Sequence, residues 1–419
     1  MRLMDALLRR IVKSGELTVV YPGGEQRAYG QVELGRSPVT MRFRDGRAIR
    51  RILRNPRLGL GEAYMDGGLT VDGDLHDLLD LITHNARWEK GGSARNAIRR
   101  RRKLFGRLNQ VNWRARSKRN VAHHYDLGNR LYELTLDRDL FYTCGFFADP
   151  SDSIEDAQDN KKARMVAKLR LQPGHRVLEL GCGWGGLAVY MAKTADVTVL
   201  GITLSEEQLA YARAKAEREG VADRVEFQLI DYRDLTEDGR FDRITCSGMM
   251  EHIGPPNYGT FFSKCRGLLS DRGVLLLDFI GRLGKRGTTD PWTTKYIFPG
   301  GYNPALSEVT AASEQMKLIC NDIEQWPLHY AYTCRRWLER AREHRDEIVG
   351  LYDERFFRMW EFYLAGSITA FENGGSTNYQ LQYVRERTAV PWNRDYMLED
   401  HHSLRSQLPE RSPEMVALA

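Results

Sequence analysis

Residues 177–186, VLELGCGWGG, decide how the rest of this chain is read. Val177, Leu178 and Leu180 form the apolar end of a strand, and Gly181, Gly183, Gly185 and Gly186 follow at once. Residues 187–191 then read as the opening of a helix. A glycine carries no Cβ, so at Gly181 and Gly183 the backbone can approach a ligand. Its N–H groups and the helix N-terminus can then face a nucleotide-like molecule. The same letters, GCGWGG, satisfy G-x-G-x-x-G. The loop alone therefore leaves a dinucleotide, S-adenosylmethionine (SAM) and a plain strand-to-helix turn all open.

Outward from the loop, strands and helices alternate. Apolar strand patterns fall at 177–180, 197–202, 225–229, 241–246 and 274–280, with helical patterns at 153–169, 206–219 and 258–269. Ser153 and Asp156 suit the cap and first turn of the helix that leads into the loop. Alternation of this kind predicts βαβ units in a doubly wound, largely parallel α/β sheet, with the ligand at the carboxyl ends of the strands. The place about 20 residues past the glycines, where a ribose-binding acid is expected, holds Thr203. SAM sites usually carry an acid there too, so this absence does not discriminate. Glu179 and Asp231 do. A carboxylate just before the glycines suits a cofactor with net positive charge, and one after the third strand suits an adenine amine, so SAM is favoured. After residue 280 the pattern breaks into a Gly-rich loop, then into helical stretches at 331–374 rich in Trp, Tyr and Phe, which predict the roof of a pocket.

The 419 residues are 42% hydrophobic, enough for two or three domains with proper cores. A net charge of +6 conceals an uneven distribution. Eleven Lys and Arg and no acid lie between Arg95 and Arg119, leaving the rest of the chain at −5. Ile98, Leu104, Phe105, Leu108, Val111 and Trp113 are interleaved with that charge. The mixture fits an anionic lipid surface, at about 1 kcal/mol per basic residue, and nucleic acid competes for the same charges. Six cysteines without C-x-x-C spacing argue against zinc and against a disulfide framework, so a reducing cytoplasm is expected. No apolar run approaches the roughly 20 residues of a membrane span, and the N-terminus shows no uninterrupted signal-peptide core. Membrane contact is therefore expected to be peripheral, at the inner face of the cell membrane. Residues 1–92 read as a small α+β domain without a catalytic motif, opened by an amphipathic helix at 1–13. Residues 93–120 read as the basic linker and membrane-contact segment, and 121–419 as the catalytic domain. His123 and His124 have no partner at metal-ligand spacing.

Six motifs in order carry a resemblance: HHYDLGNRLYELTLDRDLFYTCGFF (123–147), VLELGCGWGG, GITLSEEQLAYA (201–212), DYRDL (231–235), MMEHIGPPNYGTFF (249–262) and KYIFPGGYNPALSEV (295–309). Together they resemble the cyclopropane-fatty-acyl-phospholipid synthase family, relatives of the mycolic acid cyclopropane synthases, over residues 121–383. LGLGEAYMDGGLTVDGDL (58–75) is similar to the extra domain of the bacterial phospholipid-acting branch. The resemblance implies a Rossmann-like SAM-dependent methyltransferase domain with helical insertions. It implies an enzyme that adds a methylene across a cis double bond of a phospholipid acyl chain, so the basic segment is expected to meet anionic bilayer, not nucleic acid. A homodimer stays open. For SAM it points to Tyr142, Thr143, Glu179, Gly181, Cys182, Gly183, Thr203, Leu204, Gln208, Asp231 and Tyr232.

An alkene is a poor nucleophile, so the site must align it behind the sulfonium methyl and exclude water from the resulting cation. Aromatic faces can stabilise that cation. A base must then remove a proton, which the family assigns to bound bicarbonate. By resemblance its cradle is Cys144, Glu251, the backbone at Ile280, and Tyr330. The family's further histidine is replaced here by Asp278, in DFIG. A carboxylate beside bicarbonate repels it unless protonated or paired with a Lys or Arg. Three outcomes follow: bicarbonate is still held, Asp278 itself is the base, or the cation loses a different proton and leaves a methyl-branched or methylene product. A catalytically degenerate SAM- or lipid-binding protein is the reading from another class.

Overall fold

The computed structural model describes residues 2–89, 128–236 and 238–407. The basic segment at 93–120, His123 and His124 lie outside the described residues.

In chain order the N-terminal elements are α1 (Arg2–Ile11), β1 (Gly15–Val20), β2 (Gln26–Gln31), β3 (Val39–Phe43), α2 (Gly46–Arg54), α3 (Pro56–Met65), β4 (Leu69–Asp72) and α4 (Leu75–His84). The strands pair in the order β2-β1-β3-β4, as the α+β reading expects. Asp45 accepts the Arg47 and Ala48 N–H groups at the start of α2, and Asp74 accepts that of His76 at the start of α4. Met4, Leu8 and Val12 bury against Leu17, Val19, Met41 and Phe43, so α1 directs its apolar stripe into its own domain and leaves Leu3 exposed.

The following elements are α5 (Asn129–Thr135), α6 (Ile154–Leu169), β5 (Arg176–Leu180), α7 (Gly186–Thr194), β6 (Thr198–Thr203), α8 (Glu206–Arg218), β7 (Val225–Leu229), β8 (Phe241–Ser247), α9 (Met250–Ile253), α10 (Tyr258–Leu268) and β9 (Leu269–Arg282). After them come α11 (Pro291–Tyr296), α12 (Leu306–Gln315), β10 (Ile319–Trp326), α13 (His329–Glu343), α14 (Arg345–Leu351), α15 (Glu354–Glu372), β11 (Ser376–Val384) and α16 (Asp395–Ser406).

Two compact units result. One gathers the N-terminal elements with Thr288–Pro299 and Cys334–Ser376. Those two stretches, read from sequence as parts of the catalytic domain, are tied in by specific bonds. Lys295 and Tyr296 donate to Glu62 at 2.7 and 2.8 Å, Asn373 Nδ2 donates to Asp80 at 2.7 Å, Trp88 N–H to the Asn373 carbonyl at 2.9 Å, and Arg342 to Asp74. The aromatic run expected to roof a pocket packs inside this unit. Trp337 and Trp360 are fully buried, and Trp292, Phe362 and Tyr363 join one apolar cluster.

The other unit is built on a seven-stranded sheet ordered β10-β11-β9-β8-β5-β6-β7. Pairs β5·β6, β6·β7, β5·β8 and β8·β9 are parallel, and β10·β11 is antiparallel. The parallel strands are apolar on both faces, with Leu178, Leu180, Ile244, Leu275 and Leu277 fully buried between helix layers. Strand order reverses between β5 and β8, and the glycine loop follows the carboxyl end of β5 at that point, as expected for a ligand crevice. Strands β10 and β11 were not foreseen. β11 buries Asn378, Gln380 and Gln382 on one face, where polarity in sequence suggests exposure. Each finds a buried partner: Asn378 donates to Asp278, Lys168 donates to Gln380, and Gln382 donates to the Tyr396 hydroxyl.

Candidate active site

The glycine loop is fastened from behind. Gly181 and Cys182 N–H both donate to the Ile202 carbonyl, at 3.0 and 2.9 Å. Gly183 takes φ +53°, and a Cβ there would meet no atom within 4 Å, which leaves open space beside the backbone. Gly185 takes φ +82°, and a Cβ there would lie 2.7 Å from Phe227, so it is required for packing. Trp184 Nε1 donates to Asn129 at 2.9 Å, and its ring lies 4.9 Å from Tyr132, which in turn packs edge-on to Tyr142. Sequence reasoning assigned Trp184 no role. It joins the loop to α5.

Glu179 is buried on β5, one residue before its end at Leu180. It receives the Ala188 N–H, its Oε2 has no partner, and burial pushes its carboxyl up to about 8 against the opposing pull of Lys161. An enclosed carboxylate of this kind is stabilised by a cation, and with the space at Gly183 it fits the net positive charge of SAM. Thr203 and Gln208 are buried and bonded to each other at 2.9 Å, and the Ser205 hydroxyl caps α8 by accepting from Gln208 N–H. Gln208 is thus not the exposed helix residue its position allows, while Leu204 is half-buried. Asp231 forms a two-pronged ion pair with Arg233, which occupies the carboxylate read as an adenine acceptor. Tyr232 packs edge-on to Phe261 as part of the core.

The second half of the site lies at the ends of β8 and β9, adjoining the loop. A Cβ on Gly181 would lie 3.7 Å from Met249 Sδ, and one on Gly248 would lie 3.0 Å from Thr143 Cγ2. Gly248 N–H donates to the Asp278 carbonyl at 2.8 Å. Glu251, on α9, accepts the Ile280 N–H at 2.6 Å through Oε1, and Tyr302 N–H donates to its carbonyl. Its Oε2 is enclosed without a partner, and burial pushes its carboxyl up to about 8. The neighbouring His252 is pushed down to about 4 by desolvation and stays neutral. The Cys144 thiol donates to the Gly145 carbonyl, and Gly145 N–H donates to Thr333 Oγ1. That bond brings the first turns of α13, with buried Tyr330, to the Cys144 segment.

Asp278 is fully buried and turned inward. It accepts from Asn378 Nδ2 at 2.6 Å and from Ser247 Oγ at 3.0 Å. The donor set does not fit the bicarbonate cradle implied by the resemblance. The Ile280 N–H is taken by Glu251, the Cys144 thiol by Gly145, and residue 278 supplies a carboxylate where an imidazole N–H is expected.

Lys161 was also missed. It is fully buried on α6, donates to Thr143 Oγ1 at 2.8 Å and stands 3.7 Å over the Phe141 ring. Burial pushes its ammonium down to about 8, against the pull of Asp278, Asp137 and Cys144. The available signal was its place on one helical stripe with Ala157, Met165 and Lys168, all buried. Among the described residues no cluster of three or more His, Cys, Asp or Glu is placed to hold a metal.

We expect Glu179→Gln to weaken binding of SAM by about tenfold, and to weaken less that of the product S-adenosylhomocysteine (SAH), whose sulfur carries no charge. SAM binding to the unmodified protein near pH 7 should release close to one proton, because a cation lowers the raised Glu179 pKa. Calorimetry in buffers of differing ionisation enthalpy measures this, and binding without proton release in either protein would refute it.

A doubly wound sheet with a glycine loop after its first parallel strand, an enclosed acid before the glycines and open space at Gly183 defines a SAM-dependent methyltransferase. The chain belongs to the mycolic acid cyclopropane synthetase family, whose model matches residues 113–381, and a second model, of a domain of unknown function, matches residues 3–89. It is 34% identical to a probable fatty acid methyltransferase of Pseudomonas putida over 88% of this chain and 93% of that protein. It is 36% identical to the cyclopropane-fatty-acyl-phospholipid synthase of Escherichia coli K12, over 84% and 89%. The solved mycolic acid cyclopropane synthase CmaA1, complexed with SAH and CTAB, matches with a TM-score of 0.59 at 28% identity, over 64% of this chain and 97% of that one. SAM is therefore the cofactor. Among the described residues no helix is long and apolar enough to cross a membrane.

Proposed function

We propose that this enzyme adds a methylene across the cis double bond of unsaturated acyl chains in membrane phospholipids, leaving a cyclopropane. SAM supplies an electrophilic methyl when bound. Glu179 and the glycine loop would hold that cofactor, and Thr143, Cys144, Met249 and Glu251, at the adjoining strand ends, would receive the alkene. The observation that carries this reading is Glu251, a carboxyl enclosed next to the cofactor loop with one oxygen held and the other unpartnered. A group so placed can receive the proton whose loss closes the ring. The basic, apolar-interleaved segment at 93–120 supports docking on an anionic bilayer, at the cytoplasmic face of the cell membrane.

A second reading rests on Asp278. Without an imidazole at that position the cation loses a neighbouring proton instead, and the product keeps a double bond. Incubation with SAM and dioleoyl phosphatidylglycerol vesicles, followed by mass spectrometry of the released acyl chains, separates the two. The expected result is gain of one CH₂ in a chain that resists ozonolysis. An isomer of that mass still cleaved by ozone favours the second reading, and no acyl product despite tight SAH binding favours a degenerate binding protein.

A further inference from the structure

The groups that would grip an external anion are bonded within the protein. Ile280 N–H is held by Glu251 Oε1, both Asp278 oxygens are held by Asn378 and Ser247, and the Cys144 thiol is held by Gly145. Glu251 Oε2, by contrast, is buried and unpartnered, on a helix whose preceding residue Met249 adjoins the cofactor loop at Gly181. We propose that in this chain the base for ring closure is the Glu251 carboxylate itself, acting without bound bicarbonate.

The step balances without a further reagent. The alkene electron pair forms the bond to the methyl carbon as the S–C pair leaves with sulfur. Loss of a proton from that methyl then lets its C–H pair close the second C–C bond, and the proton resides on Glu251 Oε2. Asp278 is not assigned this role: it is turned inward, its oxygens accept from Asn378 and Ser247, and burial raises its pKa against the pull of Lys161 and Lys168.

The charged and titratable groups facing Glu251 are Asp278 on β9, Cys246 on β8 and Tyr258 on α10, with the Ile280 N–H as the stabilising partner. Desolvation dominates and raises the Glu251 pKa to about 8. The base form is then lost as pH falls, so turnover should drop by about tenfold per pH unit below that value.

This assignment rests on the cyclopropane reading, and the experiment keeps the two apart. The full chain is assayed with SAM and dioleoyl phosphatidylglycerol vesicles in buffer stripped of CO₂, with and without added bicarbonate. Cyclopropane formation is expected to differ by less than about twofold between the two. Glu251→Gln should lose on the order of 10²–10⁴-fold in cyclopropane formation while binding SAH as before. Glu251→Asp should recover part of the rate and displace the acid limb of the pH profile. Cyclopropane made by the wild type only when bicarbonate is returned overturns the base assignment alone, as does a Glu251→Gln enzyme that still closes the ring. An ozone-sensitive product in both buffers overturns the ring-closing reading and the base assignment with it. Should Glu251→Gln fail to bind SAH, the bicarbonate comparison on the wild type decides by itself.

Discussion

Replacing Lys161 with Met should lower the stability of the catalytic unit by about 3–5 kcal/mol and abolish turnover. The ammonium is buried among Asp278, Asp137 and Cys144, and Asp278 and Asp137 are themselves raised by desolvation. Removing the cation leaves these groups enclosed without compensation, which is the costly way to break a buried ion pair. The same change removes the bond to Thr143 Oγ1 and the contact with Phe141, both within the segment that carries Tyr142 and Cys144. A second substitution discriminates charge from packing. In Lys161→Met with Asp278→Asn one unpaired charge is gone, so the double variant should regain a measurable part of the loss. Denaturant unfolding of the four proteins gives the coupling energy. A single variant as stable as wild type, or strictly additive effects, would sink this account.

Asp139→Ala should cost a similar amount, about 3–5 kcal/mol. Its carboxylate holds two buried lysines, Lys162 at 2.5 Å and Lys215, on α6 and α8 respectively. Its backbone N–H and that of Phe141 are held in turn by Asp137. The loop leading to Tyr142, Thr143 and Cys144 is clasped by these bonds, so activity should fall with stability. Desolvation alone would raise the Asp139 pKa, but the two ammonium groups outweigh it and hold the carboxyl at about 2. The sign follows. A depressed carboxyl stabilises above its unfolded pKa near 3.8, and that contribution is lost as pH falls through about 2. Between those values the wild type should lose about 2 kcal/mol that Asp139→Asn does not lose. Parallel acid-unfolding curves for the two proteins would contradict the clasp.

Much of the catalytic sheet was legible because its strands are short β-prone segments separated by turn and helix patterns. Residues 177–180, 225–229 and 241–246 each match an observed strand within a residue, the first and last in the buried centre of the sheet and the second at its edge with alternating exposure. The Ser153 cap was legible for a local reason. Its hydroxyl accepts Asp156 N–H three residues on, an interaction set by neighbouring positions alone. Strands β10 and β11 escaped because burial of Asn378 and Gln380 depends on partners 100 or more residues earlier, and that of Gln382 on Tyr396 of α16. The helices at 331–374 were read as pocket roof. Their rings are core of the other unit, a matter of which elements they meet and not of their own pattern.

The sequence by itself determined the glycine loop, the acid at Glu179, the order of the motifs and hence the family and cofactor, since all of these depend on residues close together in the chain. Only the tertiary structure decided what Asp278 does. Its two oxygens are engaged by Ser247, 31 residues earlier, and Asn378, 100 residues later, with Lys161 from another element opposing its charge. Whether a buried carboxylate repels an anion, takes a proton or merely balances a lysine is set by those distant groups, because desolvation and Coulomb forces act through space and not along the chain.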